Sequence, residues 1–204
     1  MTEYDVSDLV TEVKMVLDQN RTSTALQSDV DTLSLDAMIE GRLLDAIQTV
    51  EMKAPVYMLT DPATLSPNQL TTQTSGVKTV NLPTNFMRLI SVRCSDWSRN
   101  AKIITDDDPL YAQQGGPGGK GNKQRPVAAL VNGGSGFWLE INGTDQTTAT
   151  VLYIPQPAVS SKKISMCRLL KAAAVHYCGY LVALSCGEKE LADGLLKAAN
   201  DMMQ

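Results

Sequence analysis

The spacing of apolar residues changes twice along this chain, and the two changes limit the folds that it can adopt. Up to about residue 53 apolar residues recur every three or four positions, which predicts helices with one buried face. Between residues 63 and 157 they alternate or form short runs separated by turn residues, as in antiparallel strands. From residue 164 the helical spacing returns. The chain is therefore predicted to be α+β, with strands inserted between helices from its two ends.

Four helices are predicted outside the strand region. The first covers about Val6–Leu17, and the second covers Leu35–Lys53 and ends before Pro55, which restricts the residue that precedes it. The third covers residues 164–186, where apolar side chains occupy most of the circumference, as is typical of a central packing element. The fourth follows Gly187. Its predicted buried face consists of Leu191, Leu195, Ala198 and Met202.

The strand region is predicted to form a domain of its own. We expect a four-helix bundle from residues 1–62 and 158–204 and an inserted β domain from residues 63–157. The turn signals Asn132-Gly133-Gly134-Ser135-Gly136 and Asn142-Gly143 each favour a hairpin. The β domain is thus expected to be a small antiparallel sandwich or barrel. Its predicted strands are 77–82, 86–95, 101–105, 127–132, 137–142 and 148–154.

Residues that could support catalysis or metal binding are few and scattered. His176 is the single histidine and lies within the apolar third helix, which favours a hydrogen-bonded structural role. The cysteines form no CxxC pair, so the spacing of zinc ligands is missing, and buried free thiols are favoured over the alternative of one disulfide. We predict no catalytic residue, no metal site and no cofactor. The cysteines are Cys94, Cys167, Cys178 and Cys186.

The glycine-rich stretch 113–126 has some features of a phosphate-binding loop but not its spacing. Such a loop has a glycine five residues before its Gly-Lys pair and a hydroxyl residue after it, whereas this chain has Gln114 and Gly121 there. With five glycines and one proline, residues 113–125 are expected to be mobile in the free protein. We expect them to become ordered against a partner; the alternative is a surface loop without a role. The partner contacts would come from Lys120, Lys123 and Arg125.

Charge argues against a dedicated duplex-DNA-binding protein, because the net charge is −4, with 18 Lys and Arg against 22 Asp and Glu. Cations nevertheless cluster in two neighbouring predicted strands. With aromatic residues at only 5%, stacking on bases is limited, and an acidic protein partner explains these cations as well or better. Trp97 is expected to anchor the strand edge, with Arg93 and Arg99 turned toward a partner. The clustered cations are Arg88, Arg93, Arg99 and Lys102.

No membrane segment is predicted. The first ten residues, MTEYDVSDLV, have neither the basic region nor the apolar region of a signal peptide. The most apolar run, residues 172–186, is 15 residues long and shorter than a membrane-spanning helix. We therefore expect an intracellular protein that does not insert into a membrane.

Four segments follow one another in an informative order: the helical stretch LSLDAMIEGRLLDAIQTVEMKAP, the turn and strand LPTNFMRLISVRCSDWSR, glycine-rich hairpins, and an alanine-rich helix that leads to EKELADGLLKAA. In this order they resemble the head-to-tail connector proteins of tailed bacteriophages, and most of all those of crAss-like short-tailed phages. The resemblance covers most of the chain. It implies a virion protein without enzymatic activity, assembled in the host cytoplasm into a dodecameric ring between portal and tail.

The resemblance also implies the partners. They are other copies of the chain, the portal protein and adjacent tail or ring proteins, while DNA passes through the channel without specific binding. Two alternatives remain: a phage-encoded enzyme with an atypical site that depends on His176, and a DNA-packaging accessory protein with salt-sensitive DNA affinity. The predicted partner-binding residues are Arg88, Arg93, Trp97, Arg99, Lys120, Lys123 and Arg125.

Overall fold

A computed structural model describes residues 1–19, 34–60, 62–114, 116, 120–134 and 136–204. Residues 115 and 117–119 of the glycine-rich segment and Ser135 of the predicted hairpin turn lie outside the described residues. The chain divides into two compact units. The helical unit comprises Met1–Asp61 and Gln156–Gln204, and the β unit comprises Pro62–Pro155. The predicted α+β class is confirmed.

The described residues form five helices and eleven strands. The helices are α1 (Val6–Gln19), α2 (Leu35–Lys53), α3 (Pro109–Gln113), α4 (Lys171–Ser185) and α5 (Lys189–Asp201). The strands are β1 (Thr2–Asp5), β2 (Ala63–Thr64), β3 (Thr71–Thr72), β4 (Lys78–Asn81), β5 (Phe86–Arg93), β6 (Lys102–Thr105), β7 (Val127–Asn132), β8 (Phe137–Asn142), β9 (Thr150–Pro155), β10 (Val159–Ser160) and β11 (Lys163–Met166).

Helix α4 packs against α1, α2 and α5 in the helical unit. Small side chains permit this, because a Cβ atom added at Gly179 would lie 3.2 Å from Leu195 Cδ1 of α5. Helix α2 begins after Ser34, whose Oγ accepts a hydrogen bond from the Ala37 N–H at 3.3 Å, as an N-cap residue does. It ends at Lys53, ahead of Pro55, as predicted. Its buried face consists of Ile39, Leu43, Ala46, Ile47, Val50 and Glu51.

Two predictions for the C-terminal part of the helical unit are wrong. Residues 164–166 are predicted to begin the third helix, but they belong to β11, which pairs antiparallel with β1 and β10. Its buried residues Ile164 and Met166 alternate with more exposed ones, as in a strand with one buried face. The buried face of α5 consists of Ala192, Leu195 and Ala199, and Met202 is 40% exposed. Alanines let α5 approach α4 more closely than larger side chains would.

The β unit contains two sheets with strand orders β2-β9-β5 and β3-β4-β8-β7-β6. Neither closes into a barrel, so that alternative is wrong. Side chains from both sheets form one core. Strands β7 and β8 form the predicted hairpin, in which Gly133 N–H donates to Gly136 O at 3.2 Å. Members of the shared core include Phe86, Val92, Leu139, Ile141 and Val151.

Two strand connections differ from the purely antiparallel arrangement that was predicted. Strand β6 pairs parallel with β7, because the intervening chain with α3 is long enough for a crossover. Strands β8 and β9 form no hairpin with each other: β8 pairs with β4 and β7, while β9 pairs with β2 and β5. Gly143 follows β8 with a φ of +80°, and there the chain leaves the first sheet for the second.

One carboxylate, Glu51 of α2, is buried in the helical unit, with only 1% of its surface exposed. Its Oε1 accepts a hydrogen bond from the Cys167 N–H at 2.8 Å. Burial raises the pKa of Glu51 above its ordinary value, although the hydrogen bond from Cys167 opposes that shift. The folded chain therefore binds this proton more tightly than the unfolded chain does.

We expect Glu51→Gln to be more stable than the wild type at neutral pH, by about 1 kcal/mol. A raised pKa contributes stability that is fully present below the unfolded value and is lost as the pH rises through the folded value. The amide does not titrate, so the advantage of the variant should grow as the pH rises above the ordinary glutamate pKa of 4.5. Urea unfolding at a series of pH values from acidic to neutral measures it. Glu40→Gln, at an exposed site on the same helix, is the matched control, and an advantage that stays constant with pH would contradict the explanation.

Candidate partner-binding surface

Four exposed cations lie on neighbouring chain segments of the β unit, and we call them the basic cluster: Arg93, Arg99, Lys102 and Arg125. Two backbone hydrogen bonds bring their chain segments side by side. The Ala101 N–H donates to Val92 O, the residue before Arg93, at 2.9 Å. The Lys102 N–H donates to Pro126 O, the residue after Arg125, at 2.9 Å. Among the described residues, no carboxylate lies within ion-pair distance of these four side chains.

Trp97 holds the turn between Arg93 and Arg99. Only 3% of its surface is exposed, and its Nε1–H donates to Gly143 O at 2.8 Å. The expectation that it anchors the strand edge agrees with this position. The indole is packed in the core of the β unit and is not presented to a partner. Trp97 therefore supports the turn between Arg93 and Arg99 of the basic cluster and does not itself present a contact surface.

Lys123 has partners within the chain. Its Nζ lies 2.6 Å from Asp145 Oδ2 and 3.4 Å from Asp96 Oδ2. The pKa of Lys123 is raised, first by the hydrogen bond and charge of Asp145 and then by Asp96. The sequence predicted that Lys123 contacts a partner. In the structure its ion pairs with Asp96 and Asp145 instead connect the turn around Trp97 to the loop after β8.

Asp96 contacts Lys123, Thr144 and Asp145, and the sequence did not predict this role. Its carboxylate accepts hydrogen bonds from the Thr144 hydroxyl at 2.8 Å and from the Asp145 N–H at 3.2 Å. Burial by itself would raise the pKa of Asp96, but these bonds and Lys123 outweigh it and lower the pKa. The partners are far apart in sequence, and no local motif indicates that they meet.

The second half of the glycine-rich segment is held by hydrogen bonds. Asn122 Oδ1 accepts from the Gln124 N–H at 3.0 Å and the Arg125 N–H at 2.8 Å. The Gly121 N–H donates to Gln114 Oε1 at 3.0 Å. These bonds fix the turn that carries Arg125, and the hydrogen bond from the Lys102 N–H to Pro126 O places that turn beside β6.

The remaining predicted contacts lie apart from the cluster. Arg88 is half-buried near the start of β5, where it pairs with Ile154 of β9. Lys120 is exposed, and its N–H donates to Gly116 O at 3.2 Å. Arg88 lies toward the opposite end of β5 from Arg93 of the basic cluster. Of the cations that cluster in the sequence, Arg93, Arg99 and Lys102 belong to the basic cluster and Arg88 does not, while Arg125 joins them from the glycine-rich segment.

His176 and Asp108 make local structural hydrogen bonds. His176 Nδ1 lies 2.9 Å from Ala172 O, one turn earlier in α4, so this nitrogen carries the proton. No disulfide joins the four cysteines, all of which lie in the described residues; Cys186 is only half-buried, and burial raises the pKa of Cys178 to about 12. Asp108 caps α3 by accepting from the Leu110 N–H at 2.8 Å. Within the described ranges, no group of three His, Cys, Asp or Glu side chains is placed to bind a metal ion.

No protein-family model matches the chain, and no curated protein is significantly similar to it in sequence. Of the helices in the described part of the chain, none has the length and apolar content that crossing a bilayer requires. A functional hypothesis must therefore start from the basic cluster and from the order of segments in the sequence.

Proposed function

We propose that this chain is a structural protein of a tailed-phage virion, a connector-ring subunit between the portal and the tail. In this proposal its helices form a four-helix bundle and its two β sheets a sandwich. Copies assemble in the host cytoplasm into a dodecameric ring around the DNA channel and contact the portal and adjacent tail or ring proteins. The observation that carries the proposal is the basic cluster, an exposed group of cations that have no carboxylate partner among the described residues, in a chain that is acidic overall.

The distribution of charge supports protein partners for this cluster. The β unit contains 8 Lys and Arg against 6 Asp and Glu, whereas the helical unit contains 10 against 16. Surfaces of opposite sign on separate molecules attract one another during encounter and fix their orientation. A subunit with one acidic unit and one basic unit can therefore associate head to tail with further copies or with an acidic neighbour. We expect the ring to form on its partner, with the isolated chain monomeric or weakly associated.

Reversing the charge of the basic cluster tests the proposal. We expect Arg93→Glu, Arg99→Glu, Lys102→Glu and Arg125→Glu, combined in one chain, to lower incorporation into phage particles by about tenfold or more, because attraction becomes repulsion. Quantitative mass spectrometry of purified particles measures this. The matched control reverses four exposed cations of the helical unit, Lys163, Arg168, Lys189 and Lys197, and should retain more incorporation.

Imaging decides the location. Cryo-electron microscopy of the wild-type particle should show this chain as a ring at the junction of portal and tail. Its absence from complete, tailed particles would contradict the connector role. Equal losses in the cluster variant and in its control would show that overall charge, and not this surface, governs assembly.

A DNA-packaging accessory role is the second candidate, because the same cations could bind phosphate groups. A net charge of −4 makes it the weaker one, since little counterion release is available. Filter binding to duplex DNA at physiological salt separates the two. Tight binding that is lost when Arg88, Arg93, Arg99 and Lys102 are changed together would favour the DNA-packaging role over the connector role.

A further inference from the structure

A polar groove crosses the outer face of β4 and β8, on the larger sheet of the β unit. The register pairs Thr79 with Glu140 and Asn81 with Trp138. Directly paired residues and alternate residues of antiparallel strands share a face, so these four side chains lie together. The residues between them, Val80 and Leu139, are buried in the core on the opposite face.

The groove has a defined size and lining. Gln73 and Ser75 complete it beside these four residues, and its volume is about 400 Å³. A second groove of about 510 Å³ adjoins it, shares Gln73, Thr79 and Asn81, and continues toward Leu82 and Pro83. Among the described residues that line the two grooves, Glu140 alone is charged and none is basic. The surface thus offers amides, hydroxyls, one carboxylate and one large aromatic ring.

The aromatic ring and the carboxylate are held in position without a ligand. Glu140 Oε2 accepts from the Tyr111 hydroxyl at 3.0 Å, and Glu140 Oε1 accepts a longer contact of 3.4 Å from Trp138 Nε1–H. Glycine at position 133 makes room for the indole, because a Cβ atom there would lie only 2.0 Å from Trp138 Cζ3. Gln73 Nε2–H donates to Thr79 Oγ1 at 2.9 Å. Side chains fixed in this way lose little freedom when a ligand binds.

We propose that this groove binds a neutral saccharide. A pyranose has an apolar C–H face, which packs on a flat indole, and hydroxyls around its rim that both donate and accept hydrogen bonds. The side chains of Gln73, Asn81, Thr79 and Ser75 also do both, and Glu140 accepts. An apolar surface with a few placed polar groups is the usual form of a small-molecule site. A phosphate or another anion would meet Glu140 with no cation in the lining.

Fluorescence titration of the purified full-length chain tests the proposal. The chain has two tryptophans, and Trp97 is buried, so a change on sugar addition reports on Trp138. The probes are glucose, galactose, mannose and N-acetylglucosamine, each added to about 50 mM, with the open-chain polyol sorbitol as the control. We expect at least one sugar to saturate the signal with a dissociation constant of about 0.1–10 mM and sorbitol to give no saturation.

Variants of the groove residues test whether the sugar binds in this groove. By saturation-transfer NMR, Trp138→Ala should weaken binding of that sugar by about tenfold or more and Gln73→Ala by about threefold. Gln124→Ala, which removes an exposed amide outside the groove, is the matched control and should bind normally. Gln73 is also exposed, so its variant keeps the test valid if Trp138→Ala does not fold. The proposal is overturned if none of the four sugars saturates, or if binding persists unchanged in the groove variants.

Discussion

Replacing Gly143 with alanine is expected to destabilise the β unit by about 2–4 kcal/mol. Its φ of +80° is unfavourable for a residue with a Cβ atom. The added Cβ would lie 2.6 Å from Asn122 Cα and 2.7 Å from Asn122 N. These are backbone atoms, which cannot move aside by rotating a side chain. The loop after β8 would have to separate from the glycine-rich segment, and the hydrogen bond from Trp97 would be strained.

Gly76→Ala is the matched control for this prediction. Gly76 has the same φ of +80°, but nothing lies within 4 Å of its added Cβ atom. It should therefore show the backbone cost alone, about 1 kcal/mol. Urea unfolding followed by tryptophan fluorescence reports on the β unit, because Trp97 and Trp138 both belong to it. Equal losses in the two variants would show that the close approach of Gly143 to Asn122 contributes nothing to stability.

Trp97→Ala is expected to cost about 3–5 kcal/mol, the usual range for removing a large aromatic side chain from a core. The indole is 3% exposed, and its Nε1–H makes the 2.8 Å hydrogen bond to Gly143 O. Its removal leaves a cavity beside the turn that carries Arg99. The basic cluster should lose its arrangement even where the rest of the β unit remains folded.

Trp97→Phe separates the packing contribution from the hydrogen bond. Phenylalanine keeps an aromatic ring in the core but cannot donate to Gly143 O, so we expect a smaller loss, of about 1–2 kcal/mol. The fluorescence of Trp138 follows unfolding in both variants. If alanine proved no more harmful than phenylalanine, the indole would not be the anchor that we describe.

Local signals in the sequence predicted the features that depend on neighbouring residues. Helix α2 has the predicted bounds, because Ser34 caps its start and Pro55 prevents its continuation. The β7–β8 hairpin formed because a two-strand turn depends on the few residues that join its strands. Apolar spacing was enough for the α+β class, since a helix and a strand each need one buried face.

The tertiary structure decided whatever depends on residues that are distant in sequence. The short strands β1 and β11 exist because they pair with each other from opposite ends of the chain, and β6 is parallel to β7 because of a crossover. At the candidate surface, the sequence already grouped Arg93 with Lys102 on neighbouring strands, but the backbone hydrogen bond between Lys102 and Pro126, 24 residues apart, brings in Arg125. The sequence predicted that Lys123 contacts a partner, whereas in the structure it pairs with Asp145, 22 residues away in the chain. Side-chain periodicity is read along one segment, whereas these pairings depend on how separate segments meet.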